Sequence, residues 1–207
     1  MGDENWKRTS LGGLRGRFVV IVGPDGVGKT TVARALVSAV GGPTGYFHFR
    51  PFVFRPMLSA PPDSMEPAVD KGSPDGSRLL GWVRIVRNLI RFWVGYLARV
   101  RPAVAAGRLV VGDRWAYGYL VQPAALKFYG PEWLARLAVR LLPEPDLVAN
   151  LTAPEEIVRR RKQELTSAEI AAELSAWSAL PACRLRSFDT QGPPGEVATQ
   201  ILRELER

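Results

Sequence analysis

The sequence predicts an α/β fold: a doubly wound, parallel, five-stranded sheet between helices, in three α-β-α layers. Three observations predict it. Apolar runs of strand length alternate with stretches of helical period along the chain. A glycine-rich loop, "GPDGVGKTT" from Gly23 to Thr31, stands between the first strand and the first helix. A later apolar run, "RLVVGDRW" from Arg108 to Trp115, ends in an acid and an arginine, at the sheet edge where open α/β folds bind their ligands. With 207 residues the chain suits one domain, near the size that buries roughly 70% of the unfolded chain's surface.

Residues 1–16 carry no strand or helical period and are expected to be a flexible N-terminal segment, with 17–207 as the single domain. "RFVVIV", Arg17 to Val22, is the unbroken apolar run of a strand covered on both faces. Lys29 to Val40 places apolar residues at helical spacing, and a second strand follows at Gly45 to Phe49. Pro51, Pro56, Pro61, Pro62, Pro67 and Pro74 deny regular structure to the next stretch, so 51–76 is read as a functional loop. Helical period returns from Ser77 to Val100, then a strand at Arg108 to Gly112 and a helix at Pro131 to Leu142. The remaining elements are a strand at Asp146 to Leu151, helices at Pro154 to Glu164 and Ser167 to Leu180, a strand at Arg184 to Phe188 and a helix at Gly195 to Glu206. Thr166 with Glu169 fits a capping box at the start of the second of those helices, and Pro181 lies just past its end.

The spacing Gly23, four residues, Gly28, Lys29, Thr30 is that of a phosphate loop. Its glycines let backbone N–H groups curl round an anion, lysine supplies charge, and threonine supplies a Mg2+ ligand. The helix that follows turns its positive end to the same phosphate. The cofactor-binding set is therefore Gly23, Asp25, Gly26, Val27, Gly28, Lys29, Thr30 and Thr31, with ATP and Mg2+ expected. Asp113 stands where it can hold Mg2+, directly or through water, and Arg114 where it neutralises a phosphate or a developing charge. The plainer readings are a glycine turn without a ligand and an ion pair at a strand end.

Net charge is +8, from 28 basic and 20 acidic residues, which favours anionic partners. No basic low-complexity tail, zinc-ligand cluster or aromatic RNA-binding signature accompanies it, so nucleic acid is not expected. No apolar run reaches the roughly 18 to 20 residues of a membrane span, and the first 17 residues lack the apolar middle of a signal peptide. The expectation is a cytoplasmic protein with a small-molecule phosphoryl acceptor, no membrane insertion, and room for a homodimer. The single cysteine, Cys183, allows no internal disulfide and is expected in the core.

On these residues the chain resembles the thymidylate kinase family of P-loop nucleoside monophosphate kinases, from Arg17 onward. "GPDGVGKTT" resembles that family's loop, "RPAVAAGRLVVGDRW" its third helix end and third strand, and "PDLVANLTAPEEIVRRR" its fourth strand and the arginine-bearing helix that leads into the lid. "SFDTQGPPGEV" resembles the last strand and the loop near adenine, and "DRWAYGYLVQPAALKFYGPEWLARL" a divergent branch tied to polysaccharide and other secondary pathways. The resemblance implies a P-loop NTPase fold of the nucleoside monophosphate kinase type, with Asp25 on the sugar hydroxyl of the acceptor. Gly26 follows where some members carry an arginine, so a lid at 159–166, with Arg159, Arg160 and Arg161, would supply the transition-state charge. The catalytic set is then Lys29, Asp113, Arg114, Arg160 and Arg161; the metal ligands Thr30 and Asp113; and the acceptor set Asp25, Arg50, Arg91 and Arg114.

Departures fall on the acceptor side. The family's Arg-Glu-Pro-Gly turn is replaced by "FHFRPFVFRP", in which Arg50 and Pro51 stand for part of it. The place of the phosphate-gripping arginine on the third helix falls on Phe92, with Arg91 beside it, and "ELTSAEIAAELSAW" replaces the usual Asp-Arg-aromatic-Glu of the lid. Arg84, Arg87 and Arg91 share one helix face, which admits three readings: a solvated stripe on a buried helix, a wall of the acceptor site, or a membrane-surface helix. His48 lines the acceptor pocket or is an ordinary satisfied residue. Three activities remain open: transfer to a monophosphate, which needs cations; transfer to a sugar or other hydroxyl, which needs a base such as Asp25 or Asp113; and a nucleotide-binding regulatory NTPase.

Overall fold

A computed structural model of the chain describes residues 16–51, 57–62, 78–126, 128–161 and 167–207, with backbone alone for 78–80 and 161. The first fifteen residues of the expected N-terminal segment, most of the proline-rich loop, Thr166 of the capping box, and lid residues 162–166 lie outside the described residues.

Five strands form one sheet in the order β2-β3-β1-β4-β5, every pair parallel. They are β1 (Arg17–Val22), β2 (Thr44–His48), β3 (Leu109–Asp113), β4 (Leu147–Thr152) and β5 (Leu185–Asp189). Successive strand residues point to opposite faces, so Phe18, Val20 and Val22 of β1 enter one core while Val19 and Ile21 enter the other. Helices α1 (Lys29–Val40) and α8 (Pro194–Leu205) cover the Val19 side through Val32, Leu36, Ala198 and Ile201. On the Phe18 side lie α2 (Arg78–Gly95), α3 (Arg101–Ala105) and α5 (Glu132–Arg140), through Ile85, Phe92, Ala103 and Leu134. This is the doubly wound three-layer sandwich that the sequence predicts.

Strands β3 to β5 each begin and end one residue later than the apolar runs suggest, and β2 begins and ends one residue earlier. The hydrogen-bond ladder continues into polar residues at the carboxyl ends, which sets His48 and Asp113 side by side in register. Phe49, read as the last residue of β2, instead has φ 60° and donates its N–H to the Asp113 carbonyl at 2.8 Å.

Two further differences have clear causes. The long helix does not stop at Val100: a π turn, Tyr96–Val100, carries it into α3, in which Arg101 N–H reaches back five residues to Tyr96 O. Pro102 has no N–H to offer at that point, and the wide turn absorbs the defect. The stretch after β3 also folds as a 3-10 turn at Trp115–Tyr117, then α4 (Gly118–Val121) and a second 3-10 turn at Ala124–Leu126, all too short to show a period.

In the proline-rich stretch, the described residues are not wholly irregular. Leu58 forms an antiparallel bridge with Tyr46, 2.6 and 3.0 Å, along the outer edge of β2. That bridge covers an edge strand that would otherwise offer unpaired backbone groups. Cys183, expected in the core, is exposed.

Candidate functional site

The site lies where β1 and β3 end. Gly23 (φ 139°), Gly26 (φ 86°) and Gly28 (φ 104°) all adopt left-handed backbone, and a Cβ on Gly23 would lie 2.7 Å from the Leu151 carbonyl oxygen. Only glycine fits that conformation and that approach, so the loop curls tightly and turns N–H groups inward. Gly28 then starts α1 with no side-chain cap, which leaves the first N–H groups of a 12-residue helix open to an anion. Thr190 anchors the loop from behind, its hydroxyl 2.9 Å from the Val27 carbonyl oxygen.

Lys29 is 8% exposed and donates to the carbonyls of Gly23 (3.1 Å) and Pro24 (2.8 Å) and to Asp25 Oδ1 (3.3 Å). Burial holds its pKa below the usual lysine range, Arg114 adds to that, and Asp113 and Asp25 oppose it. Thr30 stands half-buried on the first turn of α1, while Thr31 is exposed.

Asp113 is 3% exposed. Tyr46 OH (3.1 Å) and His48 Nδ1 (3.2 Å) both donate to its Oδ2, while its buried Oδ1 has no partner. Burial alone would raise this carboxyl's pKa, but the His48 hydrogen bond, Lys29 and Arg114 together hold it below the usual range. An ionised carboxylate with one orphaned oxygen is chemically suited to a divalent cation. The second of these contacts makes His48 a partner of Asp113.

Arg114 follows with φ 71° and ψ −34°, and Trp115 with φ 48°. Such backbone costs about 1 kcal/mol or more and persists only where its surroundings enforce it. Here Arg114 N–H binds Ile21 O at 2.8 Å, and Trp115 is buried against Phe92 (4.8 Å), Phe18 (5.4 Å) and Phe47 (5.7 Å). The strained turn swings the Arg114 guanidinium over the phosphate loop. Its Nη2 donates to Asp25 Oδ1, its Nη1 to Gln122 Oε1 at 2.6 Å, and its Nε is buried without a partner.

A second cluster forms beside it. Arg50 Nη1 donates to Asn88 Oδ1 at 2.8 Å, and Asn88 Nδ2 to Tyr119 OH at 2.6 Å. Burial lowers the Arg50 pKa, and the charges of Arg91 and Arg87 lower it further, so two neighbouring cations act on Arg50. Arg91 itself is exposed, and Phe92, at the place expected for an arginine, belongs to the core. The arginine stripe divides: Arg84 is half-buried while Arg87 and Arg91 are exposed.

The structure thus brings Lys29, Asp25 and Arg114 into contact, sets Asp113 next to His48, and places Arg50 in the field of Arg91. Arg160 lies exposed near the end of α6 (Glu155–Arg161), with Arg161 as that helix's last residue. Sequence reasoning missed Tyr46, Asn88, Tyr119, Gln122 and Glu173. Tyr46 had a usable signal, since it stands two residues before His48 and so shares its face. Asn88 had one too, as the only uncharged polar residue between Trp82 and Trp93.

The architecture is a P-loop fold of the nucleoside monophosphate kinase type. In sequence and in fold the chain is similar to thymidylate kinases. It is 23% identical to the thymidylate kinase of Rhizorhabdus wittichii over 221 residues, covering 93% of this chain and 98% of that one. The thymidylate kinase of Candida albicans superposes with a TM-score of 0.53 at 19% identity, covering 93% of this chain and 92% of its own. No family model matches the chain. No helix of the described residues is long and apolar enough to cross a membrane.

Proposed function

We propose that the chain is an ATP- and Mg2+-dependent phosphotransferase that passes the γ-phosphoryl group of ATP to a nucleoside monophosphate-like acceptor. One observation carries this reading above all: Lys29, Asp25 and Arg114 meet across a phosphate loop beside Asp113, whose buried Oδ1 is unpartnered. Mg2+ on Thr30 and Asp113 would neutralise phosphate charge. Lys29 and the backbone of Gly26 to Thr30 hold the β and γ phosphates. Arg114 and Arg50, with Arg91 nearby, attract the acceptor's phosphate, and Asp25 takes its sugar hydroxyl. Arg160 and Arg161 supply charge to the group in flight. Catalysis of this kind is positioning and charge stabilisation, so a phosphate acceptor needs no strong general base. The pairing of Asp25 with two cations makes it a poor base and disfavours a neutral hydroxyl acceptor.

The test is ADP release across a panel of nucleoside monophosphates, free nucleosides and sugars. A monophosphate is expected to drive turnover, with dTMP a poor acceptor. The altered turn at Arg50 and the core Phe92 each remove a charged contact worth about ten- to a hundred-fold. ADP release independent of any acceptor contradicts transfer, and dTMP as the best acceptor contradicts the altered specificity.

A homodimer also belongs to this reading. Trp82, Val83, Val86, Ile90, Trp93 and Val94 of α2 are 37–60% exposed and fall within about a third of the helix circumference, next to exposed Trp133 and Leu137 of α5. A stable interface buries roughly 800 Å² per partner, and this contiguous apolar stripe is the surface proposed to supply it. Light scattering is expected to give twice 22.8 kDa, and Val86→Glu with Ile90→Glu half of that. A wild-type monomer contradicts it.

A further inference from the structure

Beyond the loop and the strand ends, one hydrogen-bonded chain crosses the site without a role so far. It runs from Glu173 on α7 (Ser167–Ser178) to Gln122 at the end of α4, then to Arg114, and ends on Asp25 of the phosphate loop. Gln122 Nε2 donates to Glu173 Oε1 at 2.7 Å, and Gln122 Oε1 accepts from Arg114 at 2.6 Å. α7 packs on α4, so the link spans two elements already in contact.

The polarity of this chain is fixed. A carboxylate only accepts and a guanidinium only donates, so the amide between them has one allowed orientation, with NH2 toward Glu173 and carbonyl toward Arg114. Without Glu173 the Gln122 amide would be free to flip, and its NH2 would then face the Arg114 donors. With it, Arg114 has one N–H of Nη1 and one of Nη2 engaged, which fixes the plane of the guanidinium and the direction of its remaining N–H groups. Glu173 Oε2 is buried without a partner, so the carboxylate's charge is not spent on a competing contact.

We infer that Glu173 is a positioning residue: through Gln122 it holds the Arg114 fork in the orientation that receives the acceptor's phosphate. This rests on the kinase reading above. It also ties the chain's α6–α7 arginine region to the phosphate loop, because α6 and α7 pack together and Glu173 sits on the second of them.

The test measures kcat and apparent KM for an equimolar mixture of nucleoside 5′-monophosphates, and KM for ATP, in four variants. Glu173→Leu is expected to raise the acceptor KM about ten- to a hundred-fold with the ATP KM within twofold. Glu173→Gln, which still presents an acceptor oxygen to Gln122, stays within about threefold of wild type. Gln122→Glu sets two carboxylates face to face and is impaired; combining it with Glu173→Gln removes that clash, because the amide at position 173 donates to the carboxylate at position 122, and recovers most activity. An unaffected Glu173→Leu, equal losses for both substrates, or a double variant no better than Gln122→Glu alone overturns the inference. If the wild-type protein phosphorylates none of the mixture, the kinase reading fails instead. The relay is then read in melting temperature, where the double variant melts above Gln122→Glu; additive effects of the two substitutions overturn it.

Discussion

Lys29→Ala lowers phosphoryl transfer by about 10³-fold or more while the protein still folds. Lys29 is buried, but its partners are two loop carbonyls and Asp25, not the apolar core, so its removal opens no cavity between the sheet and α1. What disappears is the one lysine charge within the loop, at the start of a helix that already favours an anion. Circular dichroism and melting temperature check the fold, and steady-state rates check the loss. Turnover near the wild-type rate would remove the donor site from this loop.

Replacing Arg160 and Arg161 together with alanine lowers kcat by about 10³-fold, with a smaller change in KM for ATP. Gly26 leaves the loop without an arginine of its own, so the transferred group needs charge from elsewhere, and α6 ends in three consecutive arginines. Arg160 is exposed, and Arg159 reaches Ser167 at 3.4 Å. Arg160→Ala is therefore expected to leave stability nearly unchanged, as surface substitutions do, and melting temperature checks the double variant. Single variants separate their contributions. If kcat holds and KM alone rises, these arginines bind only the ground state.

The loop proposed as the donor side was legible because its residues are local in sequence. Gly23, Gly28, Lys29 and Thr30 lie within eight residues, and their spacing alone implies the curled backbone that Gly23, Gly26 and Gly28 adopt. Asp113 and Arg114 were legible as an apolar strand ending in charge. The acceptor side was not, because its contacts join residues far apart in sequence. Arg50 meets Asn88, 38 positions away, and Gln122 meets Glu173, 51 positions away. No periodicity reports such pairs. The sequence likewise could not show the left-handed turn at Arg114 and Trp115, since neither is a residue that favours positive φ; the turn is enforced by the burial of Trp115 among three aromatic rings. The ends of β3 to β5 shifted by one residue for a related reason: apolar runs mark what is buried, whereas the hydrogen-bond ladder extends to the polar residues Asp113, Thr152 and Asp189.

The most direct test of the central claim follows the label from γ-labelled ATP in the presence and absence of nucleoside monophosphates. The account predicts label on a nucleoside diphosphate only when an acceptor and Mg2+ are both present, and its loss in Lys29→Ala. Label appearing as inorganic phosphate at the same rate with or without acceptor would contradict it.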